Sequence, residues 1–127
     1  MAIIKNDVAR ADCELRTGDD YRVRVTYREQ EGDNDPAPVD LTNVQINGKA
    51  RTAYNVDADS FPLPITKADQ TKEKGVFYIV LSKSLTTQFR PENRPRKFMF
   101  DLESVDADGW TTTFLEGTLV FVQDVTN

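Results

Sequence analysis

Apolar and polar side chains alternate along two stretches of the chain, and this pattern predicts β-strands. Residues 21–28 read YRVRVTYR, so every second side chain is aromatic or aliphatic. Within residues 96–105, Phe98, Phe100 and Leu102 are predicted to point inward, and Met99 is an apolar exception on the outer face. A period of two is typical of half-buried strands and not of helices.

The rest of the chain supplies further strands and the turns between them. Residues 75–81 are predicted to form a second clear strand, and it is apolar on both faces, which favours a central position in the sheet. Residues 106–109 read DADG and indicate a hairpin turn, and a bend or bulge is expected at residues 115–117. The remaining predicted elements are strands over residues 12–16, 39–54, 110–114 and 118–123, an edge or irregular segment over residues 61–65, and one helical turn over residues 84–89 with Ser82 or Ser84 as its cap.

The dipeptide Asn47-Gly48 lies inside the predicted strand 39–54 and allows two interpretations. It is either a tight hairpin turn or a bulge within one bent strand. The bulge is favoured, because the alternation resumes after Gly48 without a polar pause.

Together these patterns predict an all-β protein of about seven strands, spaced by roughly ten residues, with no long helix. Such spacing is typical of an antiparallel β-sandwich, and a barrel is the second choice. A chain of 127 residues is expected to form one domain, residues 1–127, with residues 1–11 as an extended N-terminal arm.

Charge and cysteine content narrow the classes of partner and compartment. The net charge is −5, from 16 basic and 21 acidic residues, which argues against nucleic acid and against anionic membranes as partners. Cys13 is the only cysteine, so an intrachain disulfide is excluded, and a small half-buried hydrophobe is favoured over a reactive thiol.

The N-terminus lacks the basic start and apolar run of a secretory signal. We therefore expect the protein to stay in a cytoplasm unless it leaves as part of a larger particle.

The chemistry available to the side chains argues against an enzyme. The chain has no histidine, which removes the usual general base and the commonest metal ligand. Neither a phosphate-binding loop nor a dinucleotide fingerprint is present. We expect no catalytic residue, no cofactor and no small-molecule substrate. An enzyme that uses a carboxylate pair stays an alternative, with Glu103 and Glu116 as the candidates, but ordinary solvated surface is the favoured interpretation.

Acidic turns and one tryptophan are the remaining candidates for ligand binding. Residues 33–35, 57–59 and 106–109 each resemble a fragment of a calcium loop, but the terminal glutamate of such a loop is missing. We expect no metal, because aspartate is common in turns for its own hydrogen bonding. Trp110 follows the Asp-Gly turn and either covers the end of the core or forms a platform on which a sugar stacks.

Three segments are the predicted contacts with partner proteins. The polar run over residues 29–38 is predicted to be a loop of the kind that carries specific contacts. Opposite charge on an acidic and a basic segment suggests the hypothesis that neighbouring copies meet head to tail. The predicted contact residues are Asp33, Asn34 and Asp35 in the acidic loop, Phe61 and Leu63 in the proline-flanked segment, and Arg90, Arg94 and Arg96 in the basic segment.

Short motifs spread over residues 15–126 carry a resemblance to a known family. Residues 18–20 read GDD before a strand, residues 39–44 read VDLTNV, and residues 98–103 read FMFDLE. The turn DADG and the stretch TTTFLEGTLV over residues 111–120 complete the set. Together they resemble the small immunoglobulin-like proteins of tailed bacteriophages, and the layout is similar to that of the N-terminal domain of phage baseplate upper proteins. The chain departs from the family pattern at Asn43, where the family often has glycine, and in residues 29–38 and 55–75.

The resemblance implies an immunoglobulin-like sandwich and a non-enzymatic subunit of a phage tail, baseplate or capsid surface. Its partners would be other virion proteins and copies of itself, and its location the virion, after assembly in the bacterial cytoplasm. A carbohydrate-binding module, with Trp110 as the platform, is the alternative from a different class.

Overall fold

The computed structural model describes residues 8–30, 32–52, 59–89 and 95–123, which contain ten strands and one short helix. In chain order the elements are β1 (Ala9–Arg16), β2 (Tyr21–Thr26), β3 (Arg28–Glu29), β4 (Ala37–Pro38), β5 (Gln45–Arg51), β6 (Ser60–Pro62), β7 (Ile65–Lys67), β8 (Val76–Leu81), α1 (Lys83–Gln88), β9 (Arg96–Val105) and β10 (Thr111–Val122).

Two sheets face each other and form an all-β sandwich, as predicted. The larger sheet has the order β1-β10-β9-β5-β6, and the smaller one has the order β2-β8-β7. Strands β3 and β4 form a separate short hairpin. The count exceeds the predicted seven because β3, β4, β6 and β7 are only two or three residues long. The sandwich is antiparallel except at one edge, where β1 runs parallel to β10.

Two prolines mark the place where the chain crosses from one sheet to the other. Pro62 ends β6 at the edge of the larger sheet, and Pro64 precedes β7 at the edge of the smaller one. Because proline has no N–H to donate to a central ladder, edge positions are where it is tolerated. The predicted edge assignment of residues 61–65 is confirmed.

Strand β5 corrects both interpretations of Asn47-Gly48. The strand pairs with β9 from Gln45 to Arg51 without a change of register, so neither a hairpin turn nor a bulge occurs there. Glycine is needed for another reason, because a Cβ atom at position 48 would collide with the side chain of Leu102. The predicted start at residue 39 is also wrong, since a turn closed by the Val44 N–H and the Leu41 carbonyl precedes β5.

Strand β1 begins before its predicted first residue, and β10 joins two predicted strands into one. Residues 9–11 belong to β1 and pair with residues 115–117 of β10, so they are not part of an arm, while residues 1–7 lie outside the described part of the chain. Strand β10 is continuous, and its irregularity falls between Thr113 and Leu115 instead of at residues 115–117.

The core contains a cluster of four phenylalanines, which we call the phenylalanine cluster: Phe61, Phe89, Phe98 and Phe121. The rings of Phe61 and Phe89 stack at 4.6 Å, and Phe98 meets Phe89 edge-on at 5.0 Å. Phe89 directly follows α1, whose N-terminus is capped by the Ser82 hydroxyl. Burial of each ring contributes about 2–3 kcal/mol to folding. The cluster therefore joins the helix that leaves the smaller sheet to three strands of the larger one.

Gly117→Ala tests the close approach of β1 to β10. A Cβ atom at position 117 would overlap the carbonyl oxygen of Ala11 on the paired strand, so β1 has to move away. We expect the free energy of unfolding to fall by about 3 kcal/mol in urea titrations, with faster amide exchange in β1. Thr112→Ala, at an exposed position of the same strand, is the control, and equal losses in the two variants would contradict the close approach.

Candidate binding surface at the loop end

Three connections meet at one end of the sandwich, which we call the loop end: residues 27–44, 68–75 and 106–110. The Tyr27 N–H donates to the Gly75 carbonyl at 2.7 Å, and the Tyr27 hydroxyl lies 3.4 Å from the Ser104 hydroxyl. The Leu41 N–H donates to the side-chain oxygen of Gln70 at 3.0 Å. These contacts fix the first connection against the second and against strand β9.

An open cleft of about 800 Å³ lies at the loop end. It is lined by residues 8 and 9, by residues 25–29 and by residues 110–115. The ring of Tyr27 meets Phe114 edge-on at 4.7 Å, so two aromatic residues join its opposite walls. The hydroxyl-bearing residues Thr111, Thr112 and Thr113 are exposed along one side. The cleft therefore offers both apolar and hydrogen-bonding surface.

Asp106 holds the turn that presents Trp110. Its carboxylate accepts hydrogen bonds from the Asp108 and Trp110 N–H groups at 3.0 and 2.9 Å, and its own N–H donates to the Trp110 carbonyl at 3.1 Å. Gly109 has φ +83°, a conformation that glycine adopts without strain. The predicted Asp-Gly hairpin is confirmed. One carboxylate oxygen of Asp106 accepts both of the backbone hydrogen bonds that hold the turn.

Trp110 is 74% exposed and is the only large hydrophobic side chain exposed among the described residues. Of the two interpretations of this residue, the one in which it covers the core is therefore excluded. An indole held in water at a cleft wall is available for contact with another molecule.

Two further aspartates of the loop end are fixed by local turns. Hydrogen bonds from the Thr42 hydroxyl and N–H, at 2.6 and 2.9 Å, lower the pKa of Asp40. The equivalent bonds from Thr71 to Asp69, at 2.7 and 3.0 Å, lower the pKa of that carboxyl in the same way. Both carboxylates therefore stay ionised at neutral pH and add negative charge to the loop end.

The structure places the predicted acidic contact residues on the surface and the proline-flanked pair in the core. Asp33, Asn34 and Asp35 are exposed in the loop between β3 and β4, at the loop end, and their contact role stays a prediction. Phe61 and Leu63 were expected to contact a partner, and this is corrected, because they are 6% and 5% exposed and lie in the core.

Arg96 is the one arginine of the basic segment that falls within the described residues, and it lies at the opposite end of the sandwich. Arg96 begins β9, donates to Asp59 at 2.8 Å, and lies over the rings of Phe89 and Phe98. Arg90 and Arg94 lie outside the described residues. The head-to-tail hypothesis requires acidic and basic contacts at opposite ends, which Asp33, Asp35 and Arg96 satisfy, although Arg96 is already paired.

The candidate carboxylate pair lies on the outer face of the larger sheet. Glu116 stands directly opposite Asp101 and next to Arg10, while Glu103 stands opposite Thr113. Lys49 pairs with Asp101 on its other side, so charges of both signs form one row across four strands. These four side chains are exposed, so the arrangement is that of a solvated sheet face.

Metal binding and the thiol were the remaining candidates. Among the described residues, no three cysteine, aspartate or glutamate side chains come together as a metal site, and residues 57 and 58 of the second calcium-like segment lie outside that set. Cys13 is half-buried beside an apolar cavity of about 290 Å³ between β1 and β2, and burial raises its pKa. This environment fits the interpretation of Cys13 as a small hydrophobe.

Several residues of the cleft were missed by sequence reasoning. Arg28 and Glu29 line the cleft although the sequence assigned them only to a strand end and a polar loop. The run Thr111–Thr113 carried a usable signal, because three successive hydroxyl side chains in a strand beside an exposed turn indicate a polar surface.

Comparisons with known proteins assign no family to the chain. No model of a known protein family matches the sequence, and no curated protein matches it significantly. Within the described residues, no helix is long and apolar enough to cross a membrane.

Asp106→Ala tests the presentation of Trp110. The substitution removes two hydrogen bonds to the turn, so we expect the free energy of unfolding to fall by about 1–2 kcal/mol and the near-ultraviolet circular dichroism of the single tryptophan to weaken. Asp106→Asn keeps the acceptor oxygen and is the control, for which we expect a loss below about 0.5 kcal/mol. Equal effects would show that charge, and not the hydrogen bonds, holds the turn.

Proposed function

We propose that this protein is a non-enzymatic structural subunit of a tailed-bacteriophage particle, assembled through protein–protein contacts at the loop end. The motif resemblance to phage immunoglobulin-like proteins supports the phage assignment. The single observation that carries the contact surface is Trp110, which is 74% exposed on a turn fixed by Asp106. Tryptophan is among the residues whose burial contributes most to binding energy in protein interfaces.

The fold suits such a role because its strands are rigid and its contacts are displayed on loops. Loops on a β-sandwich vary in sequence without cost to the core, so they are the usual place for specific recognition. Tail, baseplate and capsid surface are all compatible positions, and the copy number of the subunit distinguishes them.

Quantitative mass spectrometry of purified particles tests this proposal. Phage particles from the source culture are purified on a density gradient, and this protein is quantified against the major capsid protein. We expect a fixed ratio that survives repeated purification, with high copy number for decoration or tube and a handful for a baseplate or connector. Its absence from intact particles, while the free protein is present in the lysate, would contradict the proposal.

A carbohydrate-binding module is the second candidate, and the composition of the cleft favours it. An exposed indole lies beside three exposed threonine side chains, which combines a stacking surface with hydrogen-bonding groups. The same cleft residues would then contact a glycan in place of a protein.

Glycan-array binding tests the second candidate. If the cleft binds a sugar, Trp110→Ala is expected to weaken binding by at least about tenfold, while Glu14→Gln on the outer face of β1 leaves it unchanged. An array without hits, or equal binding by the Trp110→Ala variant, would remove this candidate.

A further inference from the structure

The formal negative charge of the protein is concentrated at the loop end. The described residues of the three connections include eight of the 21 acidic residues of the chain but only three of its 16 basic ones, and the Lys67 ammonium of β7 adds a fourth positive charge there. All eight carboxylates are exposed, and they include Glu29, Asp33, Asp35 and Asp108. A net charge of −5 would be unremarkable if it were spread over the whole surface. Concentrated at one end, it produces a directional field.

The exposed tryptophan and its cleft lie at this same acidic end. Trp110 follows Asp106 and Asp108 in the turn, and Glu29 and Arg28 line the opposite wall of the cleft. An apolar anchor beside predominantly negative charge is the arrangement of a docking interface with an apolar centre and a polar rim. The negative rim would be repelled by an acidic surface and by a phosphate backbone.

We propose that the loop end docks a basic protein surface, with Trp110 inserted into an apolar recess of that surface and Arg or Lys side chains of the partner facing the carboxylates. This inference deepens the proposed function by naming the chemistry of the partner, and in that respect it rests on the proposed function. Charge complementarity accelerates association and sets the orientation, while burial of the indole supplies most of the affinity.

Fluorescence titration with two designed peptides tests the proposal on the full chain. The probe is a soluble eight-residue peptide that alternates arginine with leucine or serine, and its counterpart has glutamate at each arginine position. Because Trp110 is the only tryptophan, its emission reports the cleft directly. We expect the arginine peptide to shift the emission to shorter wavelength with an affinity that weakens steeply as salt rises, and the glutamate peptide to give no shift.

A matched pair of triple variants separates location from total charge. Asp33→Asn, Asp35→Asn and Asp108→Asn together remove three charges from the loop end, and we expect the affinity for the arginine peptide to fall about tenfold. Glu14→Gln, Asp101→Asn and Glu116→Gln remove three charges from the outer face of the larger sheet, and we expect no comparable change. Trp110→Ala, measured by calorimetry, is expected to lose binding although all eight carboxylates remain.

Several results would overturn the inference. Equal losses in the two triple variants would show that only net charge matters, and undiminished binding by Trp110→Ala would show that the indole is not the anchor. Self-association that weakens with salt and is lost in the Arg94→Glu variant would show that the loop end binds a second copy of this chain instead. Each of these results leaves the particle test untouched, so failure here and failure of the proposed function remain distinguishable.

Discussion

The fold depends on the burial of aromatic side chains between two sheets of unequal width. The phenylalanine cluster is where this burial is densest, because Phe89 brings the segment after α1 against strands β6, β9 and β10. Dispersion and the hydrophobic effect act most strongly in such close packing. Since these rings pack the segment after α1, which leaves the smaller sheet, against the larger sheet, the strands that emerge at the other end are fixed in direction, and the loop end is placed by them.

The loop end owes its shape to polar interactions and not to further core. Gln70 bridges the first two connections, with its oxygen accepting from the Leu41 and Gly75 N–H groups. Lys67 donates to the carbonyls of Leu41 and Val44 and so closes the turn before β5. Each buried or half-buried backbone group that these side chains satisfy removes a cost of about 1–3 kcal/mol for an unpaired donor or acceptor. A surface held in this way is preorganised for contact without exposing the core.

The sequence predicted the elements whose information is local. The alternation at Phe98, Phe100 and Leu102 identified β9 correctly, because side-chain periodicity follows directly from strand geometry. The prolines at positions 62 and 64 indicated an edge or irregular segment over residues 61–65 for a similar local reason, since each lacks an N–H.

What the sequence left open depends on partners that are distant along the chain. Phe61 was predicted to be a contact because it lies in a proline-flanked segment, and its burial is explained by rings distant along the chain, such as that of Phe89, 28 positions later. The parallel pairing of β1 with β10 joins residues more than 100 positions apart, so no local pattern indicates it. The exposure of Trp110 was equally undetermined, because a turn-flanking aromatic packs inward or outward according to the neighbouring loops.

The parallel pairing at the sheet edge has a mechanical consequence. The β1 segment starts at Ala9 near the cleft at the loop end, and the β10 segment ends at Val122 at the opposite end of the sandwich. A pulling force applied along those segments would load the β1–β10 hydrogen bonds in shear, across all eight paired positions at once, and not open them one by one. The β1–β10 pairing therefore resists tension between Ala9 and Val122 through all of its hydrogen bonds together.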